Sequence, residues 1–131
     1  MLGHHLFAYH VAQMKTLFLD LETRLKPVDV PEVPMKAFLL LLKRWRLDLN
    51  DGAILLGLPS DDSRNPQVRL RTVLQIYAIV YSLLRDADAE NRWIRDRRPE
   101  LENASLLDTM LRGNMENLIL ANEFVEEFSA R

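Results

Sequence analysis

The stretch that most constrains the fold of this chain is residues 66–85, PQVRLRTVLQIYAIVYSLLR. Its apolar residues recur at offsets of three and four, which predicts a helix. The stripe consists of Leu70, Val73, Leu74, Tyr77, Val80, Tyr81 and Leu84, and Ile76, Ile79 and Leu83 widen it almost to the full circumference. Such a helix must be wrapped by other elements in a water-soluble protein. The sequence therefore predicts an all-α fold, a compact multi-helix domain around one central apolar helix that Asn65 and Pro66 begin.

Composition narrows the class of protein further. The chain has 131 residues, enough for one domain with a core, and no cysteine, which allows a reducing, cytoplasmic location. A net charge of −2 gives no overall attraction to nucleic acid. No apolar run approaches the ~20 residues that cross a bilayer, so we expect no membrane association.

The first part of the chain, residues 1–33, is predicted to hold an amphipathic helix over 4–25 and a proline-rich linker over 26–34. The apolar face of this helix must pack against another apolar surface, and the linker separates the helix from the rest of the chain. We therefore expect a homodimer in which it and the leucine-rich helix 35–46 contribute to the interface; the alternative is a monomer with the helix folded back. The histidines near its start, His4, His5 and His10, are interpreted as solvated rather than as metal ligands, because no cysteine is available to complete a set.

Residues 34–65 contain two short predicted helices. The first, about 35–46, ends in basic residues that either complement the helix dipole or touch phosphate. The second, 51–57, is capped by Asn50 or Asp51 and resembles the opening of an Xre-type helix-turn-helix. The polar loop 58–65 leaves little room for a recognition helix, so we expect at best weak, salt-sensitive DNA binding. The candidate DNA contacts are Lys43, Arg44, Arg46, Arg64, Arg69 and Arg71.

After the central helix, Asp86 or Asp88 can cap a helix of about 88–97 that Pro99 ends. Its Trp93 is expected to pack against the central helix near Tyr77 or Val80. No stretch alternates long enough to predict a sheet.

A short helix and the last helix, 114–128, complete the predicted domain. Ser105 caps the short helix in an S-x-x-D capping box with Asp108, and Met110 points into the core. Gly113 stands where a helix ends with positive φ, and Asn114 starts the last helix.

Residues 69–128 resemble the toxin-binding domain of the Xre/MbcA/ParS antitoxin family. The resemblance is an ordered set of features: Arg69-Leu70, Ile76-Tyr77, Asn91-Arg92-Trp93-Ile94, Pro99, and SLLDTMLRGNMENL over 105–118, followed by a final apolar helix. The motif positions with a structural role are Trp93, Pro99, Ser105, Asp108, Met110 and Gly113. Two departures are Leu106, where the family usually has proline, and the shortened helix-turn-helix. The resemblance implies that 34–65 is a remnant of that motif and 66–131 the toxin-binding domain.

The same resemblance implies an all-helical antitoxin of a type II toxin–antitoxin system, with no catalytic role and no cofactor. The implied partner is a RES-domain toxin that consumes NAD and whose active-site cleft the antitoxin blocks. Members often dimerise and repress their own operon, so the alternative is a helix-turn-helix-type DNA-binding regulator of that operon. An enzyme is disfavoured by the residues themselves, which lack G-x-S-x-G, H-E-x-x-H and a glycine-rich phosphate loop.

The last helix carries more apolar residues than one packing face requires. If Leu118, Ala121, Val125 and Phe128 face the core, Leu120 and Phe124 lie near the surface. The alternative is a frayed terminus with Phe124 covered by the N-terminal helix. The candidate toxin-binding residues are Leu120, Phe124, Glu127 and Arg131, with Arg95, Arg97 and Arg98 as rim contacts.

Overall fold

The computed structural model describes residues 32–57 and 66–131. These residues form helices α1 (Glu32–Arg44), α2 (Leu49–Leu55), α3 (Pro66–Leu84), α4 (Ala87–Arg95), α5 (Leu106–Met110) and α6 (Met115–Ser129). Between α4 and α5 lie strand β1 (Arg97–Arg98), a 3₁₀ turn (Pro99–Leu101) and strand β2 (Ala104–Ser105). The predicted all-α fold is confirmed. The predicted helix 4–25, most of the linker and the loop that holds Arg64 lie outside the described residues.

Side-chain caps fix where most of these helices begin. Asp86, Ser105 and Asn114 accept hydrogen bonds from the backbone N–H three residues ahead, at 2.8, 2.9 and 2.8 Å. For α2 the predicted cap, Asn50 or Asp51, is wrong. Asp48 is the cap, and its side chain and that of Asp51 bind each other's backbone N–H in a capping box. The helix therefore begins earlier than its apolar pattern suggests.

The central helix α3 lies in one core to which all six helices described contribute. Leu70, Val73, Ile76 and Val80 are at most 2% exposed and face the other helices, most extensively α6 and then α1. The expectation that α3 is wrapped almost all round is wrong, because Tyr81 is 45% exposed. The further core residues are Met35, Phe38, Leu41, Leu42, Trp45, Leu55, Leu56, Ile94, Leu101, Leu106, Leu107, Met110, Leu118, Ala121, Phe124 and Val125.

A two-residue antiparallel ribbon interrupts the helices, which corrects the expectation of no sheet. Arg97 pairs with Ser105 and Arg98 with Ala104. The chain reverses through the 3₁₀ turn and through two residues in the left-handed region, Glu102 and Asn103, at φ 56° and 66°. Strands of two residues are too short for alternation to be visible in a sequence.

A buried carboxylate fastens α4 to the end of α1. Glu90 is fully buried, and Arg44 donates to its two oxygens at 2.9 and 2.7 Å while Trp45 Nε1 donates at 3.4 Å. Pairing with Glu90 raises the pKa of Arg44 above its usual value, so this guanidinium remains charged. Asn91 and Arg95 donate to the backbone carbonyls of Arg44 and Trp45, at 2.9 and 2.7 Å. These bonds satisfy carbonyls that a helix end leaves without partners.

A second buried charged side chain, that of Arg69, connects three parts of the chain. Arg69 is 8% exposed, and its Nη1 donates to the carbonyl of Gly113 at 2.8 Å. Its guanidinium lies against Gly57, where a Cβ atom would come within 2.7 Å of Arg69 Cζ. Gly57 has φ +72°, a conformation that glycine adopts without strain. Arg69 thus holds the end of α2 and the α5–α6 turn against the start of α3.

Within the described ranges, no helix is both long and apolar enough to cross a membrane.

Candidate partner-binding surface

The segment with the antitoxin-like motif forms a short helix, a glycine turn and the long helix α6. Ser105 caps α5, its carbonyl accepts a bond from Thr109 Oγ1 at 2.9 Å, and Met110 is fully buried. Gly113 has φ +84°, as predicted for a helix-ending glycine, and Asn114 then caps α6. Asp108 supplies only its backbone N–H to the cap and is otherwise exposed. These motif residues therefore set the direction in which α6 leaves the core.

Helix α6 has one buried side and one exposed side. Leu118, Ala121 and Val125 are fully buried, as expected. Ile119 is 47% and Leu120 42% exposed, although both are large apolar residues. Residues 120, 124 and 127 follow one another at helical offsets of four and three, so they lie along one edge of the helix, and Arg131 follows just beyond its end. We call Leu120, Phe124, Glu127 and Arg131 the α6 edge.

Phe124 corrects the sequence-based picture of that edge. It is only 6% exposed, so the expectation that it lies near the surface is wrong. Its ring stacks on Trp93 of α4 at 5.9 Å between centroids, and Trp93 also meets Phe128 at 5.2 Å. The ring contacts of Trp93 are thus with α6, and the tryptophan that meets Tyr77 of α3 is Trp45, at 5.5 Å. A helical pattern places a residue on a face but does not identify the helix opposite.

Two arginines stack on these rings. The Arg98 guanidinium lies 4.7 Å from the Trp93 centroid and 6.0 Å from that of Phe128, and its Nη2 donates to the Trp93 carbonyl at 3.4 Å. Arg131 lies 5.7 Å from the centroid of Phe128. We call Trp93, Arg98, Phe124, Phe128 and Arg131 the aromatic–arginine cluster. The sequence placed Arg98, Phe124 and Arg131 on the candidate surface but assigned Trp93 and Phe128 to the core; the offset of four between Phe124 and Phe128 could have indicated the latter.

The remaining rim residues separate in the structure. Arg97 is exposed on β1, next to Arg98 of the cluster. Arg95 donates to Asn91 of its own helix and to the Trp45 carbonyl at the end of α1, so its guanidinium is not part of the aromatic–arginine cluster. It lines a polar groove of about 580 Å³ with Arg46, Asp88, Asn91, Arg92 and Asp96. Sequence reasoning did not anticipate this groove, and its Arg46 and Asp88 neutralise each other at 2.8 Å.

The candidate DNA contacts are also divided by the structure. Arg44 is paired with Glu90, Arg46 with Asp88, and Arg69 is buried against Gly113. Lys43 and Arg71 are exposed. In the part of the chain that is described, no group of three histidine, aspartate or glutamate side chains is placed to hold a metal ion. Among the described candidates, Lys43 and Arg71 are therefore the ones that are exposed and form no ion pair with the rest of the described residues.

Comparisons with known proteins add one relative. The chain is similar to the uncharacterized protein y4oB of Sinorhizobium fredii (strain NBRC 101917 / NGR234), at 27% identity over 112 residues that cover 75% of this chain and 87% of the relative. No protein-family model matches the chain. No solved structure matches it.

Proposed function

We propose that this chain is the antitoxin of a type II toxin–antitoxin system that binds and blocks a RES-type, NAD-consuming enzyme. The proposal rests on the resemblance of residues 69–128 to the Xre/MbcA/ParS toxin-binding domain. The observation that carries it furthest is the geometry of α5, Gly113 and α6, which leaves two successive apolar residues, Ile119 and Leu120, exposed on α6. Exposed large apolar residues beside a stacked aromatic cluster are typical of protein-binding surfaces.

Binding to a protein agrees better with the surface than binding to DNA. Two of the basic side chains at the end of α1 and the start of α3 are engaged inside the molecule, Arg44 with Glu90 and Arg69 with Gly113, whereas Lys43 and Arg71 are exposed. Phosphate recognition requires lysine and arginine side chains that can release counterions from the nucleic acid. In this proposal the chain acts in the cytoplasm, where its partner would consume NAD.

Co-expression tests the proposal directly. The proposal predicts a RES-type enzyme encoded beside this chain; that enzyme is induced with and without the chain, and growth and cellular NAD are measured. We expect the chain to restore both and to co-purify with the enzyme. Leu120→Asp should weaken this protection, whereas Leu83→Asp, at an exposed leucine of α3, should not. Absence of any interaction with the wild-type chain would overturn the proposal.

A further inference from the structure

The arginines around the aromatic–arginine cluster carry charge that the described part of the chain does not neutralise. Arg97, Arg98 and Arg131 have no ion pair there, in contrast to Arg44 and Arg46, which pair with Glu90 and Asp88. Arg97 and Arg131 are exposed, and Arg98 is half-buried. Arg98 and Arg131 therefore lie over the apolar centre formed by Trp93 and Phe128, and Arg97 is exposed beside Arg98 on β1.

Arg131 shows that these cations are held by rings rather than by carboxylates. Glu127 stands four residues before it in the sequence, but Arg131 lies beyond the end of α6 and its guanidinium lies over Phe128 instead. The Nε of Arg98 is likewise buried without a hydrogen-bond acceptor, because the guanidinium rests on Trp93. For the exposed Arg131, stacking on a ring leaves the in-plane N–H groups directed sideways, where they can bind a carboxylate in two places. Arg98 has a buried Nε and an Nη2 that donates to the Trp93 carbonyl, so Nη1 is its free donor towards a partner.

We infer that this surface docks an acidic patch of a protein partner, whose aspartate or glutamate carboxylates bind Arg97, Arg98 and Arg131 around an apolar contact with Leu120. The inference rests on the proposed function, since it describes the face of the RES-type enzyme that the antitoxin would meet. Charge complementarity is the argument for this occupant. Glu127 is exposed on the α6 edge, and its negative charge would repel an acidic partner. This residue should therefore lower the affinity for that partner.

The test measures the dissociation constant of the full chain for the purified RES-type enzyme by titration calorimetry, at low and high salt. Arg97→Glu and Arg131→Glu should each weaken binding by about tenfold or more, and the wild-type affinity should fall as salt rises. Arg92→Glu is the matched control, because Arg92 is exposed and lines the polar groove rather than the cluster. It should change affinity little. Glu127→Gln should strengthen binding.

Each result separates the two proposals. If the wild-type chain does not bind the enzyme, the proposed function falls and the partner assignment falls with it. If the wild-type chain binds but Arg97→Glu and Arg131→Glu bind equally well, the acidic-patch inference alone is overturned. Stronger binding by these two variants also overturns it, since it would show a basic partner face. If the wild-type chain binds duplex DNA and only these two variants lose that binding, while enzyme binding is unchanged, the surface recognises phosphate instead. Unchanged thermal unfolding of the variants verifies that the surface alone was altered.

Discussion

Arg69 and Glu90 are charged side chains inside the core, and each position follows from helical spacing. Arg69 precedes Val73, Ile76 and Val80 at offsets of four, three and four, so it belongs to the buried stripe of α3. Glu90 stands four residues before the buried Ile94 of α4. Their burial was therefore predictable from the pattern. Their partners were not, because Arg44 and Gly113 lie 46 and 44 positions away in the sequence.

Replacing Gly57 with alanine should destabilise the protein by about 1–3 kcal/mol. The new Cβ atom would adopt φ +72° and lie 2.7 Å from Arg69 Cζ, so backbone strain and a clash act together. In an Arg69→Ala background the clash disappears, and the same change should cost only about 1 kcal/mol. Urea unfolding of the four proteins measures this coupling. Equal costs in both backgrounds would show that Arg69 does not restrict position 57.

The two halves of the Arg44–Glu90 pair should differ in the cost of their loss. Arg44→Met leaves a fully buried carboxylate without its cation, which should cost about 3–5 kcal/mol. Glu90→Gln leaves an arginine whose side chain is 29% exposed and can turn towards water, so about 2 kcal/mol is expected. Chemical denaturation of both variants ranks them, and the reverse order would contradict this account.

At the scale of elements, the sequence predicts which segments are helical better than it predicts what they touch. The caps at Ser105 and Asn114 and the positive φ of Gly113 were readable because they depend on neighbouring residues. Helix α1 begins at Glu32 instead of near 35. Pro34 has no backbone N–H, but it lies in the first turn, where an N–H would have no acceptor within the helix. The β1–β2 ribbon escaped prediction, since it depends on a turn through two left-handed residues rather than on a pattern.

The α6 edge gives an element-scale prediction that separates packing from binding. Phe124→Ala should cost about 3–5 kcal/mol of stability, because its ring is buried against Trp93. Leu120→Ala, four residues away on the same edge, should change stability by less than about 0.5 kcal/mol because its side chain is 42% exposed. Thermal unfolding compares them. A large loss for Leu120→Ala would mean that this leucine is covered in the native protein.

At the scale of the whole molecule, the all-α class followed from the periodicity. The helices before the central one share its core, since Phe38 of α1 and Leu55 of α2 belong to the same cluster as Val73 and Val125. Sequence spacing cannot show that two segments share a core, because the decisive contacts are between helices far apart in the chain. For the same reason, the pattern indicated the part of the candidate surface that α6 contributes but not the part that α4 contributes.

The homodimer expected from the sequence can be tested through α1. Leu40 is 67% exposed, and the leucine-rich helix was predicted to contribute to the interface. We expect light scattering to show a dimer for the full chain and a monomer for Leu40→Glu, since a buried unpaired carboxylate disfavours association. Leu83→Glu places the same charge on an exposed residue of α3 and should leave the mass unchanged. A monomeric wild-type chain would contradict the prediction.

The hydrogen bond from Arg69 to Gly113 also has a kinetic consequence. It joins residues 44 positions apart and so closes a long loop of the chain. We expect this contact to form after the rate-limiting barrier, and such a contact affects how fast a protein unfolds and not how fast it folds. Substituting Arg69 should therefore shorten the lifetime of the native state while refolding after dilution from urea proceeds at the original rate. A variant altered at this position would fold normally and be exposed sooner to proteolysis.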